Sequence, residues 1–270
     1  MRQRSYFGRY ENLCLLALIS AAAILASGWF WRGARAGAVS MAAQNCASAT
    51  FAAQAPMAAG GRPRPIAIAD FNGDGRPDLA IGNSLSLFGG FSNYNVTVML
   101  NQGNGAFAVA PGSPRVVDDG PISLAAADFN GDGRADLAVA SEIAKTVTIL
   151  LGDGTGAFTA AGTPISFPSR PTFLLAQDIN GDTRADLIVA KADDNNVNIL
   201  LGTGTGGFSE VVPSPISTGT RPFFIATGDF NSDSRPDFAI ANLGSQNVTI
   251  LLNTGSGRFS RPAGSPITVP

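Results

Sequence analysis

The residues with most chemistry to offer in this chain are Asp and Asn, set at fixed positions in a nine-residue motif that recurs four times. The copies run Asp70–Asp78, Asp128–Asp136, Asp178–Asp186 and Asp229–Asp237. Each has Asp at positions 1, 5 and 9, Asn at position 3 and Arg at position 7. Side-chain oxygens at positions 1, 3, 5 and 9, with the carbonyl of position 7, suit a hard cation that takes six to eight oxygen ligands. The candidate ligands are therefore Asp70, Asn72, Asp74, Arg76 and Asp78 in the first copy, and Asp128, Asn130, Asp132, Arg134 and Asp136 in the second. The third contributes Asp178, Asn180, Asp182, Arg184 and Asp186, and the fourth Asp229, Asn231, Asp233, Arg235 and Asp237. Calcium (Ca2+) is the expected cofactor, because magnesium demands stricter octahedral geometry. Gly75 and Gly133 at position 6 permit a sharp turn, whereas Thr183 and Ser234 replace them in the last two copies. Weaker or more strained sites are expected there.

Asp, Asn and Gly also dominate metal-free turns. Against that reading, three Asp in one tight loop repel one another unless neutralised, and the pattern recurs. A glycosidase pair is a further use of carboxylates, but it needs two acids in different environments. Four equivalent loops offer no such asymmetry. The chain has no His, which excludes His-based triads, His general bases and His-ligated zinc or haem. No catalytic residue is expected, and the chain reads as a non-enzyme.

The motifs start 58, 50 and 51 residues apart, and a period near 50 marks a repeat architecture. Short apolar runs flank each motif. Ile66–Ala69, Leu124–Ala127, Phe173–Ala176 and Phe223–Ala226 precede it; Leu79–Ile81, Leu137–Val139, Leu187–Val189 and Phe238–Ile240 follow. A third run, such as Val96–Leu100 or Val147–Leu151, leads to a Gly-rich turn, and Phe107, Phe158, Phe208 or Phe259 opens a fourth, weaker run. Runs this short suit strands rather than helices. The expected fold is all-β, a β-propeller of four four-stranded blades. Phe51 stands in the frame of a further fourth strand with no blade before it. That surplus predicts an incomplete or open ring, or self-association through its edges.

The first forty residues differ from the rest. Arg2, Arg4 and Arg9 precede an uncharged stretch from Asn12 to Trp31, with small-residue sites such as Ala34–Ala36 beyond. Residues 1–36 read as a signal peptide or uncleaved signal anchor, and residues 37–50 as a linker. The expected location is secreted, periplasmic or cell-surface, with membrane contact only through an uncleaved N-terminal segment. Without residues 1–36 the chain carries 13 Lys and Arg against 19 Asp and Glu. Nucleic acid, which needs clustered positive charge, is excluded as a partner. Cys46 would then stand alone, so no internal disulfide framework forms.

Over residues 51–270 these motifs make the chain similar to the FG-GAP/VCBS repeat family, found in integrin α-subunits and many exported bacterial proteins. The resemblance implies a propeller, often seven-bladed, with calcium in a hairpin loop on one rim of each blade. It implies adhesion, ligand display, or protein or glycan contact as a role. The leading functional expectation is an exported, calcium-stabilised binding, adhesion or scaffold module; a glycan-binding module accessory to a carbohydrate-active protein is the alternative. One loop breaks the repeat. Position 9 lies 18 residues before the third run in the first copy, and 11 in the others. Phe88, Phe91 and Tyr94 in that longer loop are candidate contacts for a protein or glycan ligand.

Overall fold

A computed structural model describes residues 56–84, 94–211 and 214–269. The expected export segment, the linker, Phe51, and Phe88 and Phe91 of the long loop lie outside the described residues. Every regular element among the described residues is a strand.

The strands form four antiparallel sheets, each built from consecutive chain. Blade one holds β1 (Pro63–Ala69), β2 (Asp78–Asn83), β3 (Asn95–Gly103), β4 (Ala106–Val109) and β5 (Arg115–Val116). Blade two holds β6 (Pro121–Ala127), β7 (Asp136–Ser141), β8 (Thr146–Gly152), β9 (Phe158–Ala160) and β10 (Ile165–Ser166). Blade three holds β11 (Pro171–Gln177), β12 (Asp186–Lys191), β13 (Asn196–Gly202), β14 (Phe208–Glu210) and β15 (Ile216–Ser217). Blade four holds β16 (Pro222–Gly228), β17 (Asp237–Asn242), β18 (Asn247–Gly255), β19 (Arg258–Ser260) and β20 (Ile267–Thr268).

The expected four-stranded blade is right in plan and needs one amendment: the fourth strand is broken. In blade one both β4 and β5 pair with β3. Between them lies Ala110-Pro-Gly-Ser-Pro114, and proline has no N–H for a ladder. Blades two and four break at Pro164 and at Pro262 and Pro266. The strand at Phe259 is not surplus. It pairs with β18 of its own blade, and the Phe259 ring packs 5.0 Å from that of Phe238.

The blades stack face to face, and their interfaces are the hydrophobic core. Ala, Val and Ile of one blade meet Leu, Val, Ile and Phe of the next. Ala80, Val96 and Val98 of blade one lie against Leu124, Leu137, Val139 and Leu150 of blade two. Ala138, Ala140, Val147 and Ile149 of blade two lie against Leu174, Leu187, Val189 and Leu200 of blade three. Ile188, Ala190, Val197 and Ile199 of blade three lie against Ile225, Phe238, Ile240 and Leu251 of blade four. This is why β7 and β12 are buried along their whole length, and why their sequences are continuous apolar runs. First strands sit side by side, β1 by β6, β6 by β11 and β11 by β16, while β16 and β1 form no such packed pair. The four blades make an open arc of a β-propeller.

Candidate metal centre

Each nine-residue motif is the hairpin turn between the first and second strands of its blade. All four loops therefore occupy the same rim position. Their shape comes from side chains that bond their own backbone. Asp70 Oδ1 accepts from Gly73 N (2.8 Å) and Asp74 N (3.2 Å), and its Oδ2 from Gly75 N (2.7 Å). Asn72 Oδ1 accepts from Asp74 N at 3.1 Å, and Asp74 Oδ1 from Arg76 N at 2.9 Å. Asp128 repeats the pattern with Gly131, Asp132 and Gly133. Asp178 receives Gly181 and Thr183, and Asp229 receives Asp233 and Ser234.

These bonds need backbone N–H groups turned inward, which requires left-handed residues. Gly75 and Gly133 adopt φ of 80° at position 6, and Thr183 and Ser234 adopt φ of 70° and 65°. The strain expected in the last two loops is therefore present, and loop four adds a second case in Ser232 (φ 63°). A left-handed residue with a Cβ costs about 1–2 kcal/mol.

The donated N–H groups also set the charge. At Asp70 desolvation pushes the pKa up, but the N–H groups of Gly75, Gly73, Asp74 and Asn72 outweigh it and hold the carboxyl below its ordinary value. The N–H groups of Ser234, Asp233, Ser232 and Asn231 do the same for Asp229. Asp132 is held low by Arg134 N and by the Asn130 side chain. Asp70, Asp229 and Asp132 thus present ionised oxygens at the rim.

Position 9 behaves differently. Asp78, Asp136, Asp186 and Asp237 are fully buried at the start of their second strands. Each carboxylate spans two backbone N–H groups, one at position 2 of its loop and one on the third strand. Asp136 accepts from Phe129 N and Gly152 N, both at 2.8 Å. Asp78 takes Phe71 N (2.9 Å) and Asn101 N (2.7 Å); Asp186 takes Ile179 N (3.0 Å) and Gly202 N (2.8 Å). Asp237 takes Phe230 N (2.9 Å) and Asn253 N (2.8 Å). Burial, with repulsion from Asp132 and Asp128, pushes the Asp136 pKa up despite those two bonds; Asp186 is raised in the same way. Position 9 latches the hairpin to the third strand.

The side chain of position 7 has a role that its spacing did not show. Arg76 Nε donates to Asn101 O (2.8 Å) while its NH2 meets Asp74 Oδ2 at 2.5 Å. Arg235 bridges Asn253 O (2.8 Å) and Asp233 Oδ2 (2.6 Å) in the same way. In the middle blades Arg134 and Arg184 run alongside Gly154 and Gly204, where an added Cβ would come within 3.1 Å and 3.0 Å of the guanidine arm. The signal in sequence was the Gly-rich turn after each third strand.

Among the described residues, no three His, Cys, Asp or Glu side chains are grouped as a ready cage for a metal ion. The side chains of positions 1, 3 and 5 lie outside the core in each loop, whereas position 9 is buried; the position 7 carbonyl remains the further oxygen the spacing offers. That donor set, all oxygen and net anionic, fits calcium in chemistry.

The FG-GAP repeat profile matches residues 66–99, and the FG-GAP-like repeat profile matches residues 85–139, 128–189 and 178–240. The chain belongs to the FG-GAP repeat family. The FG-GAP loops are the acidic hairpins described above. Two solved structures resemble the fold. One is a protein from Lactobacillus plantarum, with a TM-score of 0.51 and 16% identity, covering 74% of this chain and 54% of that one. The other is a functionally unknown protein from Desulfotomaculum acetoxidans, with a TM-score of 0.54 and 17% identity, covering 74% of this chain and 55% of that one. This FG-GAP chain thus spans about half the length of each. No curated protein matches it.

Proposed function

We propose that this chain is an exported, calcium-stabilised binding or scaffold module without enzymatic activity. The observation that carries the reading is the fourfold recurrence of one oxygen-rich rim loop, with Asp and Asn side chains at its tip and a buried latch at its base. When bound, calcium supplies charge neutralisation and cross-links the hairpin tip. Asp70, Asn72 and Asp74, with the Arg76 carbonyl, would hold it in blade one, and their counterparts in the other blades. The loops are alike in donors and placement, so they support repeated ion binding rather than one reaction centre. The N-terminal apolar segment with its flanking Arg residues supports export. The sequence between the acidic loops, which carries few charged residues, supports contact with a protein or glycan.

Isothermal titration of the full chain with calcium tests this reading. The expected result is uptake at about four sites with Kd near 10⁻⁴–10⁻³ M, and about one site fewer after Asp132→Ala. No heat of binding up to 10 mM calcium would overturn it.

A further inference from the structure

The two ends of the arc present the two halves of an interface that the chain already makes three times. Position 2 of each loop shows one half. Phe71, Phe129 and Ile179 are 1–2% exposed, each covered by the following blade, whereas Phe230 is 51% exposed. Ala140 and Ala190 are fully buried, and their counterpart in blade four, Ala241, is exposed. Phe224, Ala241, Leu243, Val248 and Val269 line an uncharged groove of about 640 Å³ on this face. The first strands show the other half. Leu124, Leu174 and Ile225 share one register position and are 2–8% exposed under the preceding blade. Ile66 holds that position in β1 and is 57% exposed, with Ile68 at 64%.

We propose that the open face of blade four receives blade one of a second copy of this chain, and that two copies close one ring of eight blades. Three arguments select this occupant. The surface is continuous with an interface the chain already builds, in which Ala, Val and Ile of one blade's second and third strands lie among Leu, Val, Ile and Phe of the next blade. The face of blade four around Ala241 and Val248 and the first strand of blade one at Ile66 and Ile68 correspond to opposite sides of the internal interfaces, so the halves are complementary rather than alike; within one chain Ile66 and Phe224 line a common cavity of about 410 Å³. Two arcs of four blades also give eight, within the four to eight that propellers use. Apolar faces of this kind are normally covered. The proposal is independent of the calcium reading.

The internal interfaces identify a pair of positions to cross-link. Leu174 N donates to Ser123 Oγ at 3.0 Å between blades three and two. Ser123 corresponds to Phe224 and Leu174 to Ile66. The full chain carrying Ile66→Cys and Phe224→Cys, with Cys14 and Cys46 changed to Ser, is oxidised and run on a denaturing gel. Both positions are more than half exposed, so the variant should fold, which circular dichroism checks. Most of the chain should shift from 27.6 kDa to about twice that mass, and neither single variant should shift. Several outcomes overturn the proposal. A dimer from Phe224→Cys alone means like faces pair. An intramolecular link means that the four-blade ring closes on itself, and a ladder of higher multiples means an open filament. Absence of any link overturns it too, and maleimide labelling then tells free faces from faces covered by another segment or partner.

Discussion

Replacing Asp136 with Ala separates a structural latch from a metal ligand. The carboxylate is fully buried and holds two backbone N–H groups at 2.8 Å, one from the loop and one from the third strand. Leaving a buried donor unpaired costs about 1–3 kcal/mol, so two lost bonds set a gross penalty of about 2–6 kcal/mol. The substitution also removes a buried charge whose ionisation is disfavoured, which returns part of that cost. The expected net loss is about 2–4 kcal/mol, present with or without calcium. Asp136→Asn retains one acceptor but turns an amide N–H toward the other donor, so it should lose about 1–3 kcal/mol. The folded pKa of Asp136 is raised. Its contribution is therefore full below the unfolded value and fades as pH rises through the folded one, so the cost of Asp136→Ala should grow as pH falls from 7 toward 4. Urea unfolding in EDTA, followed by far-ultraviolet circular dichroism, measures each quantity. A loss under about 1 kcal/mol in EDTA, appearing in full only when calcium is added, would show that position 9 is a ligand and not a latch.

Three further outcomes follow from the loop geometry. Asp132→Ala should cost more calcium-dependent stability than Asp233→Ala, because loop four strains Ser232 and Ser234 where loop two has glycines; calcium titrations with an equal or reversed order would remove the strain argument. Ser234→Gly should stabilise the metal-free chain by about 1 kcal/mol, read as a higher urea midpoint. Arg76→Gln should raise calcium affinity up to about fivefold at the first site, since an exposed ion pair worth up to about 1 kcal/mol competes for Asp74 Oδ2; unchanged affinity by calorimetry would mean that the pair and the ion do not compete.

Much of the architecture was legible in the sequence because repeats average out local ambiguity. The runs around Leu137 and Leu187 became fully buried strands, and Phe158 and Phe208 became edge-on partners of Phe71 and Phe129, 5.6 Å apart. The broken fourth strand was also written there, in Pro114, Pro164 and Pro266, but a short polar run gives little signal to interrupt. The roles within the loop were harder to read. Asp at position 9 looks like Asp at position 5 on paper. They differ because position 9 is already the first residue of a strand, so its side chain points under the turn while position 5 stays at the tip. The Arg side chains at position 7 were obscured for another reason. Their partners Asn101 and Asn253 lie 25 and 18 residues away, beyond any local pattern.

The most direct test of the central claim, that the four loops bind calcium and stabilise the blades, is the unfolding free energy with and without the ion. At ~1 mM calcium and a Kd of ~0.1 mM, one site contributes about 1.4 kcal/mol and four independent sites roughly 6 kcal/mol. Thermal and urea unfolding of the same preparation, in EDTA and then in 1 mM calcium, should therefore show a large rise in melting temperature and midpoint that magnesium at the same concentration does not reproduce. Superimposable transitions in EDTA and calcium would contradict the account and leave the acidic loops as self-capped turns.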